Sequence, residues 1–249
     1  MPRLHVPRLE VFANREEAAA AAADRIARVI ARPAVLGLAT GRTLIPVYEQ
    51  LTRRHAAGLS FAAATTFNLD EYWPIAPEHP GSFHAYMQRH LFDHVDLAAC
   101  RRRLPGGLAE EAEIATACRD YERAIQEQGG IDLQLLGLGR NGHIGFNEPG
   151  SAHDSRTRRV ELHQSTREDN ARDFPGEAAP RYAITMGIGT ILEARQILLL
   201  AFGSSKASAL ARLLAGPVSL ELPASALLAH GQVTIFADPE AARNLAEPS

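Results

Sequence analysis

The stretch Ile131-Asp132-Leu133-Gln134-Leu135-Leu136-Gly137-Leu138-Gly139-Arg140-Asn141-Gly142-His143-Ile144-Gly145-Phe146-Asn147-Glu148-Pro149-Gly150 decides how this chain is read. Its first six residues are a short apolar run of the kind that forms a buried strand. Residues 137–148 then hold four glycines, one histidine, two asparagines and one glutamate. Glycines let a backbone turn sharply and approach a ligand closely. His143 titrates near neutrality, and Glu148 can join it in moving protons where a site tunes the carboxyl. Open α/β sheets bind their ligands at the carboxyl ends of strands. The segment after Leu136 therefore reads as an active-site loop on an α/β protein.

Outward from this loop, strand-like and helix-like runs alternate. Strands are expected at 9–12, 34–39, 65–69, 131–136, 196–202 and 233–237. Helices are expected at 18–32 behind an Asn14 cap, at 45–55, 83–94 behind a Ser82 cap, 109–128, 205–214 and from 239 onward. Such alternation predicts a mostly parallel sheet with helices on both faces. Nothing in the chain marks a repeat or a long linker, so a single domain over 1–249 is expected. Residues 153–180 are polar, charged and weakly periodic, which fits either a lid or a surface helix with loops.

The composition excludes several classes. The 249 residues are 46% hydrophobic and 22% charged, with a formal net charge of −3. Nucleic-acid partners usually leave a basic footprint that is absent here. No apolar run reaches membrane-spanning length, and the first residues lack the apolar stretch of an export signal. No membrane partner and a cytoplasmic location are expected. In that setting Cys100 and Cys118 read as free thiols.

Four groups of residues carry possible chemistry. Thr40-Gly41-Arg42-Thr43 lies between a strand and a helix, where backbone N–H groups and the Thr43 hydroxyl favour an anion. Asn68-Leu69-Asp70-Glu71-Tyr72 puts two acids at a strand end. Strand alternation points Asp70 and Glu71 to opposite sides, so one can act as a base while the other serves structure. In the glycine loop, Asn141 or Glu148 can orient the His143 imidazole. Arg172 and Lys206 are candidate anion clamps, and Lys206 at the start of a helix is badly placed for the helix dipole unless an anion joins it. Each has a plainer alternative: a turn, a cap acid, a loop histidine, a solvated lysine. The basic cluster Ser155-Arg156-Thr157-Arg158-Arg159 has no role that spacing alone assigns.

Together these residues resemble the glucosamine-6-phosphate deaminase (glucosamine-6-phosphate isomerase) family. The likeness runs from about residue 11 to residue 245. It is carried by Leu36-Gly37-Leu38-Ala39-Thr40-Gly41, Phe67-Asn68-Leu69-Asp70-Glu71-Tyr72, Glu78-His79-Pro80-Gly81-Ser82-Phe83, Phe92-Asp93-His94-Val95-Asp96 and Ser155-Arg156-Thr157-Arg158. Most specific is Gly142-His143-Ile144-Gly145-Phe146-Asn147-Glu148-Pro149-Gly150, because the related 6-phosphogluconolactonases keep the Gly-His pair but not the Phe-Asn-Glu-Pro.

The resemblance implies a modified Rossmann-like, doubly wound fold with a lid over about 153–180. It implies conversion of glucosamine 6-phosphate and water to fructose 6-phosphate and ammonia, with no metal and no other cofactor. It makes Asp70 the base for enolisation and His143 the base for ring opening, supported by Asn141 and Glu148. Phosphate falls to Gly41, Arg42, Thr43, Arg172 and Lys206. Asn141 stands where some members carry Asp, and Arg42 replaces a second glycine of the turn. Val160 and Glu161 stand where allosterically activated members have Lys and Thr, and the chain ends before the C-terminal extension of those members. A monomer or small homo-oligomer without activation by N-acetylglucosamine 6-phosphate is therefore expected. Other readings are a galactosamine-6-phosphate deaminase, a lactonase-like hydrolase, and a sugar-phosphate-sensing module that needs no proton-transfer residues.

Overall fold

The computed structural model describes residues 4–245; the outer ends of the expected domain, 1–3 and 246–249, and with them the expected short C-terminus, lie outside the described residues. The chain begins with strand β1 (Arg8–Val11), helix α1 (Arg15–Ile30), β2 (Ala34–Leu38), α2 (Ile45–Ala56), β3 (Ala64–Asn68) and β4 (Asp70–Trp73). It continues with α3 (Phe83–His90), β5 (Arg102–Arg103), α4 (Ile114–Glu127), β6 (Leu133–Gly137), β7 (Arg158–Glu161), α5 (Gln164–Asn170) and β8 (Tyr182–Thr185). The last elements are α6 (Ile188–Leu192), β9 (Ile197–Ala201), α7 (Ala207–Ala215), β10 (Val233–Ala237) and α8 (Pro239–Ala242).

Seven strands form one parallel sheet in the order β1-β10-β9-β6-β2-β3-β5. Every residue of β2, β3, β9 and β10 is buried, so both faces of the sheet are covered. From β2 the chain winds outward through β3 to β5. It then returns to β6, beside β2, and winds the other way through β9 and β10. The reversal between β2 and β6 is a topological switch point, where the loops leaving the strands splay apart and open a crevice.

Local chemistry explains the elements that frame this crevice. Asn14 accepts a hydrogen bond from Glu17 N–H at 2.9 Å and caps α1, whose Ala18, Ala19, Ala22, Ala23, Ile26 and Ile30 form a buried stripe. Helix α4 begins at Ile114, not at 109 as expected. Trp73 Nε1 donates to the carbonyl of Ala109, which a helix starting there would use itself, and Glu111–Glu113 makes a 3-10 turn first. Helix α3 stops at His90 and not at 94, because Leu91 leaves helical dihedrals with φ −142° and residues Phe92–His94 form a 3-10 turn.

A second sheet was not expected. β4 and β7 flank β8 in an antiparallel sheet of three strands. The expected lid segment 153–180 thus contributes a strand, β7, before the helix α5. One residue joins the two sheets: Leu69 N–H donates to Leu38 O at 2.8 Å, and Leu69 O accepts from Met186 N–H at 2.7 Å. A small apolar cluster of Tyr72, Ile75, Phe146, Leu162, Phe174, Ala179 and Ala183 fills the space between this sheet, the glycine loop and the segment around α5.

Gly37 in β2 has no room for a side chain, since a Cβ there would stand 2.0 Å from Oε1 and 2.4 Å from Cδ of the buried Gln134 on β6. Gly37→Ala should destabilise the protein by about 1–3 kcal/mol, as overpacked cores do. Urea denaturation measures this, and unchanged stability would contradict the packing described.

Candidate active site

The turns after β2, β3, β6 and β9 bring the candidate residues to the carboxyl edge of the sheet. Asp70 opens β4, directly after Leu69. It is buried, and its carboxyl takes no hydrogen bond among the described residues. A Cβ on Gly145 would lie 3.3 Å from Asp70 Oδ2 and 3.1 Å from Thr185 Oγ1. Gly145, with φ +57°, therefore allows the glycine loop to lie directly on the Asp70 carboxylate. Burial, and then the charge of Glu71, push the Asp70 carboxyl up to about 8.

Glu71 has the structural task. Its carboxylate accepts from Phe83 N–H and His84 N–H, both at 2.8 Å, and from Tyr72 N–H at 2.9 Å. It neutralises the free donors at the start of α3, where a negative charge is favoured. Burial raises its pKa and these three bonds oppose the rise.

His143 is half-buried, and its imidazole lies flat against Gly139, where a Cβ would stand 2.4 Å from the ring. Asn141 Oδ1 is 2.7 Å from His143 Nδ1 and also accepts the His143 backbone N–H at 3.2 Å. An amide oxygen can only accept, so the ring proton sits on Nδ1 and Nε2 keeps its lone pair. Burial, and then the positive charge of Lys206, push the imidazole down to about 4. His143 is thus neutral at physiological pH, with a lone pair on Nε2 that can accept a proton.

Glu148 makes no hydrogen bond to His143 among the described residues. Its Oε2 accepts from His163 N–H at 2.9 Å, its Oε1 accepts from the Thr166 hydroxyl, and the His163 imidazole stands 3.3 Å away. It ties the glycine loop to the start of α5. Asn147 locks the same loop from below, donating to Ile144 O and Met186 O and accepting from Arg158 Nη1 at 2.9 Å.

The expected anion site is partly assembled. Gly41 turns the chain with φ +108°, and its carbonyl accepts from the Tyr86 hydroxyl at 2.8 Å. Gly41 and Arg42 are exposed and Thr43 is half-buried. Lys206 occupies the cap position of α7, one residue after the expected helix start, and makes no salt bridge among the described residues. Burial lowers its pKa, with Arg140 and Arg42 adding repulsion and Asp169 opposing them. A desolvated, repelled cation at a helix start is a charge that a neighbouring anion would relieve. Arg172 is exposed in the 3-10 turn after α5, its Nε bonded to Asp169 O at 3.0 Å, and no hydrogen bond links it to Lys206 or the Gly41 turn.

Among the described residues no three His, Cys, Asp or Glu side chains gather as metal ligands. A cavity of about 710 Å³ lies elsewhere, between α4 and β7, and contains none of the candidate site residues. Its Arg156 is already paired with Glu122 and Glu193, and its Arg159 with Glu111. The residues missed by sequence reading are Arg140 and Asp169, an ion pair closed between the glycine loop and α5.

Fold and site define an α/β protein with a buried carboxyl, a neutral imidazole and a lysine without a salt bridge among the described residues, gathered at the switch point of a parallel sheet. The chain belongs to the family described as glucosamine-6-phosphate isomerases/6-phosphogluconolactonase, whose model matches residues 13–236. It is 52% identical over 246 residues to a glucosamine-6-phosphate deaminase of Rhodopirellula baltica, covering 97% of each chain. A solved structure of a monomeric glucosamine-6-phosphate deaminase superposes with a TM-score of 0.92 at 46% identity, covering 95% of this chain and 99% of that one. The 6-phosphogluconolactonase of Trypanosoma brucei superposes at 0.77 with 22% identity, covering 96% of this chain and 99% of that one, a likeness of fold alone.

Nitrogen NMR of the His143 ring checks its tautomer and charge. The Nδ1-protonated neutral form should persist across pH 6.5, the ordinary histidine midpoint, and protonate only toward about 4. A titration centred near 6.5 would show that burial and Lys206 do not act on the ring as described.

Proposed function

We propose that this protein deaminates and isomerises glucosamine 6-phosphate, releasing fructose 6-phosphate and ammonia. The observation that carries the reading is the Asp70 carboxyl, buried without a hydrogen-bond partner among the described residues and touching the loop that holds a neutral His143. The relatives' names agree with it.

The chemistry follows from those two groups. The sugar arrives as a closed hemiacetal. His143 Nε2 takes the proton of the anomeric hydroxyl and passes it to the ring oxygen, so the C1–O5 bond breaks and the aldehyde appears. Asp70 then takes the C2 proton and returns it at C1 through an enolamine. The resulting C2 imine adds water and loses ammonia, leaving the ketose. Positioned proton shuttles of this kind contribute about 10²–10⁴-fold each. Asn141 keeps the His143 lone pair aimed, and Glu148 supports the constellation indirectly by holding the lid start. The Gly41–Thr43 turn with Arg42, Lys206, and Arg172 from the lid hold the phosphate. Its binding energy fixes the reacting carbons in place. Residues 153–180 serve as the lid of a single catalytic domain in the cytoplasm.

Asp70 must be ionised to accept a proton, and a group near 8 ionises as pH rises through that value. The kcat/KM for glucosamine 6-phosphate should therefore climb from about pH 7 to about pH 9. Ammonia release should be assayed in parallel on glucosamine 6-phosphate and galactosamine 6-phosphate, with lactone hydrolysis beside them. Ammonia from the first substrate with the stated pH rise supports the reading. Lactone hydrolysis alone, ammonia from the galactose epimer alone, or binding without turnover selects one of the other readings.

Glu161, at the position of an expected effector threonine, already pairs with Arg181 at 2.8 Å, and its charge repels a phosphate. Rate against substrate should be near-hyperbolic and insensitive to N-acetylglucosamine 6-phosphate, in a monomer or small oligomer. A sigmoidal curve that this effector straightens would contradict that.

A further inference from the structure

One ion pair bridges the glycine loop and the lid beside His143. Arg140 Nη2 lies 2.7 Å from both carboxylate oxygens of Asp169. Arg140 immediately precedes Asn141, the residue that holds the His143 ring, and Asp169 lies near the end of α5. Both side chains are about half-exposed, at 58% and 45%, so the pair adds little to stability. Its placement is the informative feature.

Two arginines, Arg140 and Arg42, act on Lys206, which itself acts on His143. Asp169 is the acid that acts on both Lys206 and His143. One arginine in contact with Asp169 and a lysine within its electrostatic reach form the charge pattern of an anion site that holds its own anion while empty. Arg140 also has donors to spare: Nε and Nη1 make no hydrogen bond among the described residues. A guanidinium with free donors fits a phosphate, which offers several acceptor oxygens at once.

We infer that Asp169 is a resident anion which the substrate displaces, so that Arg140 leaves it to bind the sugar phosphate. This rests on the phosphosugar reading above and adds two residues to it. Arg140 is a phosphate-binding residue, and Asp169 is a competitor that lowers affinity for any phosphate. The exchange also bears on Arg172. Its Nε is held by the Asp169 carbonyl, so releasing the end of α5 from Arg140 frees the turn that carries Arg172 to approach the phosphate.

Competitive inhibition by inorganic phosphate tests the exchange, measured for the parent, R140Q, D169N and the double variant, with thermal melts to confirm folding. R140Q should raise the inhibition constant about tenfold, the loss of a charged hydrogen bond. D169N should lower it about fivefold, by removing a neighbouring like charge. In the double variant the gain from D169N should shrink. Opposite signs for the two single variants are the expected result. If D169N weakens phosphate as R140Q does, the pair is only a latch, and if R140Q leaves the constant unchanged, Arg140 does not meet the phosphate; either overturns the inference. A parent that forms ammonia while the signs agree sinks this inference alone. A parent that neither forms ammonia nor is inhibited by phosphate sinks the phosphosugar reading with it.

Discussion

Leu69 is hydrogen-bonded to two sheets at once, and the site depends on that junction. Its N–H extends the β2–β3 ladder of the large sheet, while its carbonyl receives the strand register of the small one through Met186. A chain pinned on both sides has no freedom to swing its next residue out to water. Asp70 is that residue, so its carboxyl is buried at the seam by backbone hydrogen bonding. The glycine loop closes the seam because Gly145, lacking a Cβ, lies against Oδ2. Removing a carboxylate from water without giving it a partner raises its pKa, and Glu71 next door adds to the rise.

The same burial acts with opposite sign on the two groups proposed to react. It disfavours charge on Asp70 and so raises it; it disfavours charge on His143 and so lowers it. The largest neighbouring charge reinforces each shift: Glu71 repels the carboxylate and Lys206 repels the imidazolium, while Asp169 opposes the fall at His143. Two groups with displaced pKa values in one crevice mark an acid–base site. The Asp70 shift carries a stability penalty whose sign is fixed by linkage. The folded state holds a proton that the unfolded chain has lost. Stability contributed by this group therefore falls as pH rises from the ordinary carboxyl value of 3.8 toward about 8.

Much of this was legible in the sequence where the signal is local. The apolar runs of β2, β6, β9 and β10 announce a buried parallel sheet, Asn14 and Ser82 announce their helix starts, and the glycines around His143 announce the loop. The small sheet was not legible. β4 is only four residues, Asp-Glu-Tyr-Trp, and its partner β8 is far along the chain, so no periodicity reveals the pairing. Strand β7, in the segment expected to be a lid, was hidden in a charged stretch, since Arg159 and Glu161 pair with Glu111 and Arg181, residues distant in sequence. Glu148 misled for the same reason. Five residues from His143 it looks like an orienting acid, yet its true partners, His163 and Thr166, belong to the next element. Arg140 and Asp169 illustrate the rule most plainly, because an ion pair between a loop and a later helix leaves no trace in the sequence of either one.

The central claim is that the buried Asp70 carboxyl moves the C2 proton. Exchange of the substrate's C2 hydrogen with solvent deuterium, followed in the parent and in Asp70→Asn, reports that step without depending on ammonia release. An amide keeps the shape of the side chain but cannot take the proton. The account predicts exchange in the parent that rises as pH passes about 8, and none in the variant, while the variant still binds the sugar phosphate. Exchange at the parental rate in Asp70→Asn would contradict it, and would move the base to another residue of the crevice.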